Sequence, residues 1–255
     1  MSALRARCPD CRTHTAVALG PAYECHSCGT EFAAGLVRVP RAWGTGGEAM
    51  AEAAALALPY PETMVVGCDT LEEQTARLAA GLPERPLVLG GCCCAHTGAI
   101  RGLASRVDRL AVVWLDAHGD LNTPETSPSG NEWGMPLRAA LDEGSVRPVD
   151  VALVGARNLD PSELAYVSKR GIDGDVGRAL DGAGAVYVAL DCDVLDPGEI
   201  SCFMPEPEGP SVVEVERILR HVAAAGLPVA GLGLTGLRPD ADVGTLTRLA
   251  RALGL

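Results

Sequence analysis

WLDAHGDLN, residues Trp114 to Asn122, follows an apolar run that begins at Val112 and reads as the end of a buried strand. Asp116, His118 and Asp120 then arrive at every second position. In extended backbone alternate side chains share a face, so two carboxylates and an imidazole are expected to converge at the carboxyl end of that strand. A helix-capping turn would need one acid and no His. Oxygen ligands with a single imidazole suit Mn, Fe or Zn.

Two further stretches repeat the pattern. VYVALDCDVLDP (Val186 to Pro197) ends a second apolar run in Asp191 and Asp193, with Cys192 between them aimed away into packing. LVLGGCCCAHTG (Leu87 to Gly98) ends a third in a glycine pair and three cysteines. Isolated buried carboxylates are costly, so four acids at two strand ends call for a compensating cation.

Outward from these runs, apolar strands alternate with helical stretches to the end of the chain: the helices from Ser162, Ser211 and Asp242 separate VDVALVGA, VYVALDCD and PVAGLGLTGL. That alternation predicts an α/β fold, a three-layer α/β/α arrangement with a mostly parallel sheet and helices on both faces. Sites in such folds lie at the carboxyl ends of strands, where all three ligand stretches fall. Upstream, residues 70–82 have helical period with Asp69 or Thr70 as cap, ETMVVGC (62–68) reads as a short buried strand, and AEAAALAL (51–58) as a helix of small residues.

The 255 residues, 47% hydrophobic, are enough for one large core and a small appendage. The net charge of −12 argues against nucleic-acid partners and anionic membranes. No apolar run reaches transmembrane length and the N-terminus lacks the apolar core of a signal peptide, so a cytoplasmic location is expected, with the ten cysteines as ligands or buried thiols.

Residues 1–36 form the appendage, and residues 37–255 the main domain. Cys8-x-x-Cys11 and Cys25-x-x-Cys28 are separated by 13 residues, with Gly29 after the second pair. Four thiolates at this spacing predict one structural zinc in a zinc-ribbon-like segment that is too short to fold on an apolar core of its own. His14 and His26 are bystanders, since four Cys complete the shell. Ribbons serve nucleic-acid binding, protein docking and simple structural roles alike, and these residues do not choose among them; docking of a second copy or another protein partner is one of the three.

Taken together and in this order, the three strand-end motifs resemble the arginase/agmatinase (ureohydrolase) family over roughly residues 86 to 252. The resemblance implies one or two divalent metals. One would be held by Cys93, Asp116, Asp120 and Asp191, the other by Asp116, His118, Asp191 and Asp193. Cys93 stands where the family's GGDHS motif has its His, and a thiolate there shifts preference from Mn toward Zn or Fe. His96, three residues on, is an alternative ligand or a core residue. Asp120 and Asp193 would be the catalytic acids, Asp120 orienting the attacking hydroxide. The segment DLNTPETSPSGNEWGMP resembles the arginase branch, which places Asn122, Ser127, Ser129 and Asn131 at the amino-acid end of a substrate, with Asp160 and Glu163 of RNLDPSE beside them; turn chemistry would produce the same composition.

Two departures set the chemistry. The proton-carrying His of the family's GNxHG motif is Trp133 here, and indole is a donor only. The late Glu that pairs with a guanidinium aligns with Gly236, and Glu132 is turned elsewhere. The resemblance therefore implies a metal-dependent hydrolase of a linear C–N bond (guanidino, amidine or amide) in an amino-acid-like small molecule, inefficient on arginine; Glu at 236 with His at 133 would restore arginine. The alternative is an inactive metal-binding scaffold or amino-acid sensor.

Overall fold

The computed structural model describes residues 5–20 and 22–255; residues 1–4, which open the ribbon segment, and residue 21 lie outside them. The chain builds two sheets. Strands β1 (Ala16–Leu19), β2 (Ala22–Cys25) and β3 (Glu31–Phe32) form a small antiparallel sheet in the order β1-β2-β3. The two Cys-x-x-Cys turns are built alike. The residue after each pair, Arg12 and Gly29, has positive φ (60° and 74°) and returns its N–H to the carbonyl of Cys8 and Cys25. Left-handed backbone suits Gly and strains Arg.

The ribbon is docked rather than tethered. Arg7 exchanges two backbone hydrogen bonds of 3.0 Å with Glu62, and the Tyr23 hydroxyl donates to Glu84 O. Glu62 begins an edge strand of the larger sheet, so the ribbon occupies backbone groups that an edge would leave open to other chains.

The larger unit runs β4 (Gly35–Val39), α1 (Glu48–Ala53), β5 (Glu62–Val65), α2 (Leu71–Gly81), β6 (Pro86–Gly90), α3 (Cys94–Ala104), β7 (Leu110–Leu115), α4 (Pro136–Asp142), β8 (Val151–Val154), α5 (Pro161–Arg170), α6 (Val176–Leu180), β9 (Ala185–Asp191), α7 (Val212–Ala224), β10 (Val229–Thr235) and α8 (Val243–Ala252). Its seven strands pair in parallel in the order β5-β4-β6-β10-β9-β7-β8. Period-two patterning makes the layers. Along β7, Leu110, Val112 and Trp114 join one core with α2, α3, α4 and α5, while Ala111, Val113 and Leu115 join the opposite core with α7 and α8. This is the three-layer α/β/α fold. Among the described residues no helix is long and apolar enough to cross a membrane.

Three local readings differ from the structure. β4 belongs to the large sheet and starts at Gly35, so a division after residue 36 falls inside a strand. Arg38 hides it by breaking the apolar run; its guanidinium is occupied by Glu62 and by the carbonyls of Ala54 and Leu56. β5 is an edge strand with Val65 exposed, not a buried one. The small-residue helix covers Glu48–Ala53 instead of 51–58, because Ala offers helix propensity but too little apolar area to hold a longer helix down. Thr70 caps α2 by accepting from Glu73 N, as the sequence indicates.

Candidate metal centre and substrate cleft

Four neighbouring strands, β6, β10, β9 and β7, bring their carboxyl ends to one place. Cys93 lies just beyond β6, Asp191 ends β9 and Asp193 follows it, and Asp116, His118 and Asp120 follow β7. Side-chain donor atoms of Cys93, Asp116 and Asp191 lie within 4.8 Å of one another, and so do those of Asp116, His118 and Asp193. Asp116 belongs to both groups, as a bridging ligand would.

Convergence comes from turns rather than from extended chain. His118 N donates to Asp116 Oδ1 at 2.7 Å, which folds the backbone back over the carboxylate, and Asp193 N does the same to Asp191 Oδ1 at 3.0 Å. Asp120 sits at φ 52°, in the left-handed region. Its carboxylate lines the same cleft but belongs to neither tight group, and its buried Oδ2 has no hydrogen-bond partner.

The electrostatics are those of a site built around a cation. Burial, then the neighbouring Asp193, raises Asp191 from the ordinary 3.8 to about 7, and burial, then Asp116, raises Asp193 to about 7. Burial, then Asp116, holds the Asp120 carboxyl well above its usual range, and burial, then Asp191, raises the Cys93 thiol. Burial opposes charge on His118, yet Asp116 and Asp193 outweigh it and hold its pKa up to about 12; its Nδ1 is 3.0 Å from Asp193 Oδ2. Its Nε2 has no hydrogen-bond partner. Four carboxylates, an imidazole and a thiol, with His118 Nε2 and Asp120 Oδ2 left without hydrogen-bond partners, are a donor set that could hold a divalent cation.

These shifts carry a sign. An acid whose folded pKa is raised stabilises the metal-free fold below about 3.8 and loses that contribution as pH climbs through about 7. Ions need the deprotonated ligands, so metal stabilisation grows across the same window. Saturating zinc or manganese is expected to raise the melting temperature by about 5–10 °C at mildly alkaline pH and by much less near pH ~5.5. A shift independent of pH would show that these acids do not bind the ion.

Apart from the ribbon cysteines and the alternative ligand His96, every site residue singled out in the sequence except Asn131 lines this cleft. Asn131 instead accepts from Thr45 N at 2.9 Å and holds a neighbouring loop. Asn122 and Asp160 meet directly, Asn122 Nδ2 donating to Asp160 Oδ2 at 2.7 Å, with Ser162 and Thr126 hydroxyls on the Asn122 carbonyl. Ser127 and Ser129 accept from Gly130 N and Asn131 N, so they also serve as turn residues. Glu163 accepts from Leu121 N and Asp160 N, which pins the loop after Asp120 to the start of α5. Trp133 packs edge-on against Phe203 at 5.8 Å, and Met50 and Met204 complete an apolar wall.

Several contributors escape the sequence. Trp114 Nε1 donates to Asp116 Oδ2 at 3.0 Å. The Arg157 guanidinium donates to the carbonyls of Gly155, Asp193, Val194, Glu206 and Pro207 and so fixes the turn that carries Asp193. His96 is a core residue, not a ligand: it is fully buried, bonded to Tyr187 and Thr235, and burial drives its pKa down to about 3. Cys192 packs into the core opposite, as alternation implies.

Gly236 lies against the candidate centre. It has φ +67°, and a Cβ there would collide with Asp191 Oδ1. A Glu at 236 would therefore require Asp191 to move aside before it could face a guanidinium.

A parallel α/β sheet whose central strands end in clustered acids, an imidazole and a thiol defines a candidate metallohydrolase of the α/β/α class. The chain belongs to the arginase family, whose description "Arginase family" matches residues 45–253. An arginase of Bacillus subtilis (strain 168) is 37% identical over 142 residues, 45% of this chain and 48% of that protein, so the match spans about half the relative's length. A crystal structure of arginase from Bacillus subtilis superposes with a TM-score of 0.73 at 24% identity, covering 87% of this chain and 98% of that one. Formimidoylglutamase from Bacillus subtilis does so with a TM-score of 0.67 at 20% identity, covering 86% and 84%.

Proposed function

We propose that the protein is a metal-dependent hydrolase that cleaves a linear C–N bond in a small molecule with an amino-acid head and a neutral or weakly basic far end. The observation that carries this reading is the cleft's distribution of carboxylates. Beyond the two ligand groups and Asp120, the carboxylates lining it are Asp160, bonded to Asn122, and Glu163, bonded to Leu121 N and Asp160 N, while Glu206 is turned to the ligand side, 3.6 Å from His118 Nε2 and bonded to Asn158. The wall of Trp133, Phe203, Met50 and Met204 offers none to a guanidinium.

Cys93, Asp116, His118, Asp120, Asp191 and Asp193 would hold one or two of Zn, Fe or Mn, which when bound acidify water and polarise the substrate's trigonal carbon. Asp120 Oδ2, buried and unpartnered, accepts the attacking water's proton and can return it to the leaving nitrogen. Asp193 orients His118 through its Nδ1. Asp160, held in place by Asn122 Nδ2, would accept from the substrate's amino group, with Asn122, Ser127 and Ser129 lining the same end of the cleft. Trp133 and Phe203 exclude water. Trp133 carries no proton, so turnover relies on Asp120 alone or on a leaving group that needs little protonation; losing one acid–base group lowers rate by roughly 10²–10⁴. The likeness to a structure named formimidoylglutamase supports a substrate class wider than guanidines.

A missing partner for a buried cation is worth roughly 3 kcal/mol or more. Arginine is therefore expected to turn over at least about 100-fold less efficiently than the best amide, formimino or hydroxyguanidino compound in a screen scored by release of urea, ammonia or amine. Arginine hydrolysis at rates typical of enzymes would overturn this reading. The indole at 133 favours one alternative, an inactive amino-acid sensor, whose signature would be metal and amino-acid binding without turnover.

We infer that the ribbon holds one zinc through Cys8, Cys11, Cys25 and Cys28, whose sulfurs lie within 4.8 Å of one another and form no disulfide. The Thr15 hydroxyl holds Cys25 down to about 5, which supplies a thiolate before metal arrives. Among the described residues the local core is Ala6, Cys8, Ala16 and Cys25, with Cys11 and Phe32 beside it. Chelation is expected to unfold the ribbon first, seen as loss of protection at Arg7 and Glu62 in hydrogen exchange, with the main circular dichroism signal kept. Native mass spectrometry of reduced protein without a ribbon zinc would refute it.

A further inference from the structure

Behind the candidate centre, a row of buried polar groups runs away from the cleft. His96 Nδ1 lies 2.9 Å from Tyr187 Oη, and His96 Nε2 lies 3.0 Å from Thr235 Oγ1. Thr235 Oγ1 in turn lies 3.2 Å from Asp191 Oδ2 and 3.3 Å from Cys93 Sγ. None of His96, Tyr187 and Thr235 lines the cleft. The space they occupy is cleared by Gly233 on β10, where a Cβ would overlap Tyr187 Oη and stand 2.5 Å from His96 Nδ1.

The direction of each bond follows from what each atom can do. An ionised Asp191 only accepts, so Thr235 donates its single proton to Asp191 Oδ2, or to Cys93 Sγ once that is a thiolate. The Thr235 oxygen then accepts from His96 Nε2–H. That leaves His96 Nδ1 as an acceptor, and Tyr187 donates to it. In the metal-free chain the Cys93 thiol donates to Asp191 Oδ2 at 2.8 Å; once the sulfur is ionised the two anions repel, and a hydroxyl beside both offsets part of that repulsion.

We propose that Tyr187, His96 and Thr235 are positioning residues that form a one-way hydrogen-bond relay, which locks the His96 tautomer and aims a hydroxyl proton at the edge shared by Asp191 Oδ2 and Cys93 Sγ. The relay orients these two groups as ligands and thereby lets a thiol serve at this position. The inference rests on the metal-centre reading proposed above, and one arm of its test does not.

That arm is nitrogen–proton correlation NMR of the metal-free protein at mildly alkaline pH. His96 is expected as the Nε2–H tautomer with Nδ1 unprotonated, and an Nδ1–H tautomer overturns the relay whether or not metal binds. The second arm is cobalt(II) titration of protein whose ribbon already holds zinc. Thr235→Val is expected to weaken cobalt binding by about 10–100-fold, the usual effect of removing an outer hydrogen-bond partner, and to shift the sulfur-to-cobalt absorption band. Thr235→Ser is expected to keep both. Should Thr235→Val fail to fold, Tyr187→Phe, which removes only a hydroxyl, is expected to weaken cobalt binding about tenfold. Wild-type affinity and spectrum in Thr235→Val or Tyr187→Phe, or equal damage in Thr235→Ser and Thr235→Val, overturns the proposal. If the unsubstituted protein binds no cobalt beyond the ribbon, the metal reading fails while the tautomer still decides the relay.

Discussion

Replacing Asp116 with alanine is expected to remove all metal from the cleft and take turnover to background, while the ribbon zinc stays. Asp116 is the only residue shared by the two ligand groups. Its Oδ1 accepts from His118 N and its Oδ2 from Trp114 Nε1, so both oxygens are aimed before any ion binds. Losing even an outer partner of a ligand weakens binding by about 10–100-fold, and loss of a shared ligand should exceed ~100-fold. Elemental analysis of purified protein would then fall to one zinc per chain. Asp116→Asn keeps the shape and one neutral oxygen, so partial retention of a single ion is expected there. An alanine variant that keeps the full metal complement would remove Asp116 from the centre.

The second large effect concerns Gly236. Its φ of +67° costs an L residue about 1–2 kcal/mol, and driving a Cβ into Asp191 Oδ1 adds about 1–3 kcal/mol of overpacking. Gly236→Ala is therefore expected to lower stability by about 2–5 kcal/mol and to weaken metal binding together with it, because Asp191 must move aside. Gly236→Glu should do the same and should not create arginine hydrolysis, even combined with Trp133→His. Urea unfolding with and without metal separates the two effects. A stable Gly236→Glu protein that hydrolyses arginine would show that the strand end can rearrange around a new acid.

Gly236 also marks what a sequence conceals. Alignment with a family pattern shows the Glu missing at 236; only the folded chain shows that Asp191 already fills the room a side chain would need. The same holds at Gly233, where the cleared volume belongs to His96 and Tyr187. The partners of this inner layer come from residues 91 and 139 positions apart, so no local pattern announces them. By contrast, the gathering of Asp116, His118, Asp191 and Asp193 is legible because acids and His at the ends of apolar strands are a local pattern, although turns rather than extended chain bring them together, and that of the four ribbon cysteines because it follows from their spacing. Periodicity mistook the means at Asp120, which reaches the cleft through a left-handed turn. The resemblance to the arginase branch, not periodicity, puts Asn131 with the substrate, whereas its side chain accepts from Thr45 N. β4 was missed for one residue, Arg38, whose charge interrupts a run that is otherwise apolar.

Under the proposed function, the cleft of this chain holds catalytic metal through a divergent ligand set. Anomalous scattering from crystals loaded with zinc or manganese tests it most directly. One or two peaks are expected in the cleft, within about 2.0–2.3 Å of ligand atoms from Asp116, His118, Asp191 and Asp193, with Cys93 Sγ in the same coordination shell. Peaks at the four ribbon cysteines with none at Asp116 would contradict the account.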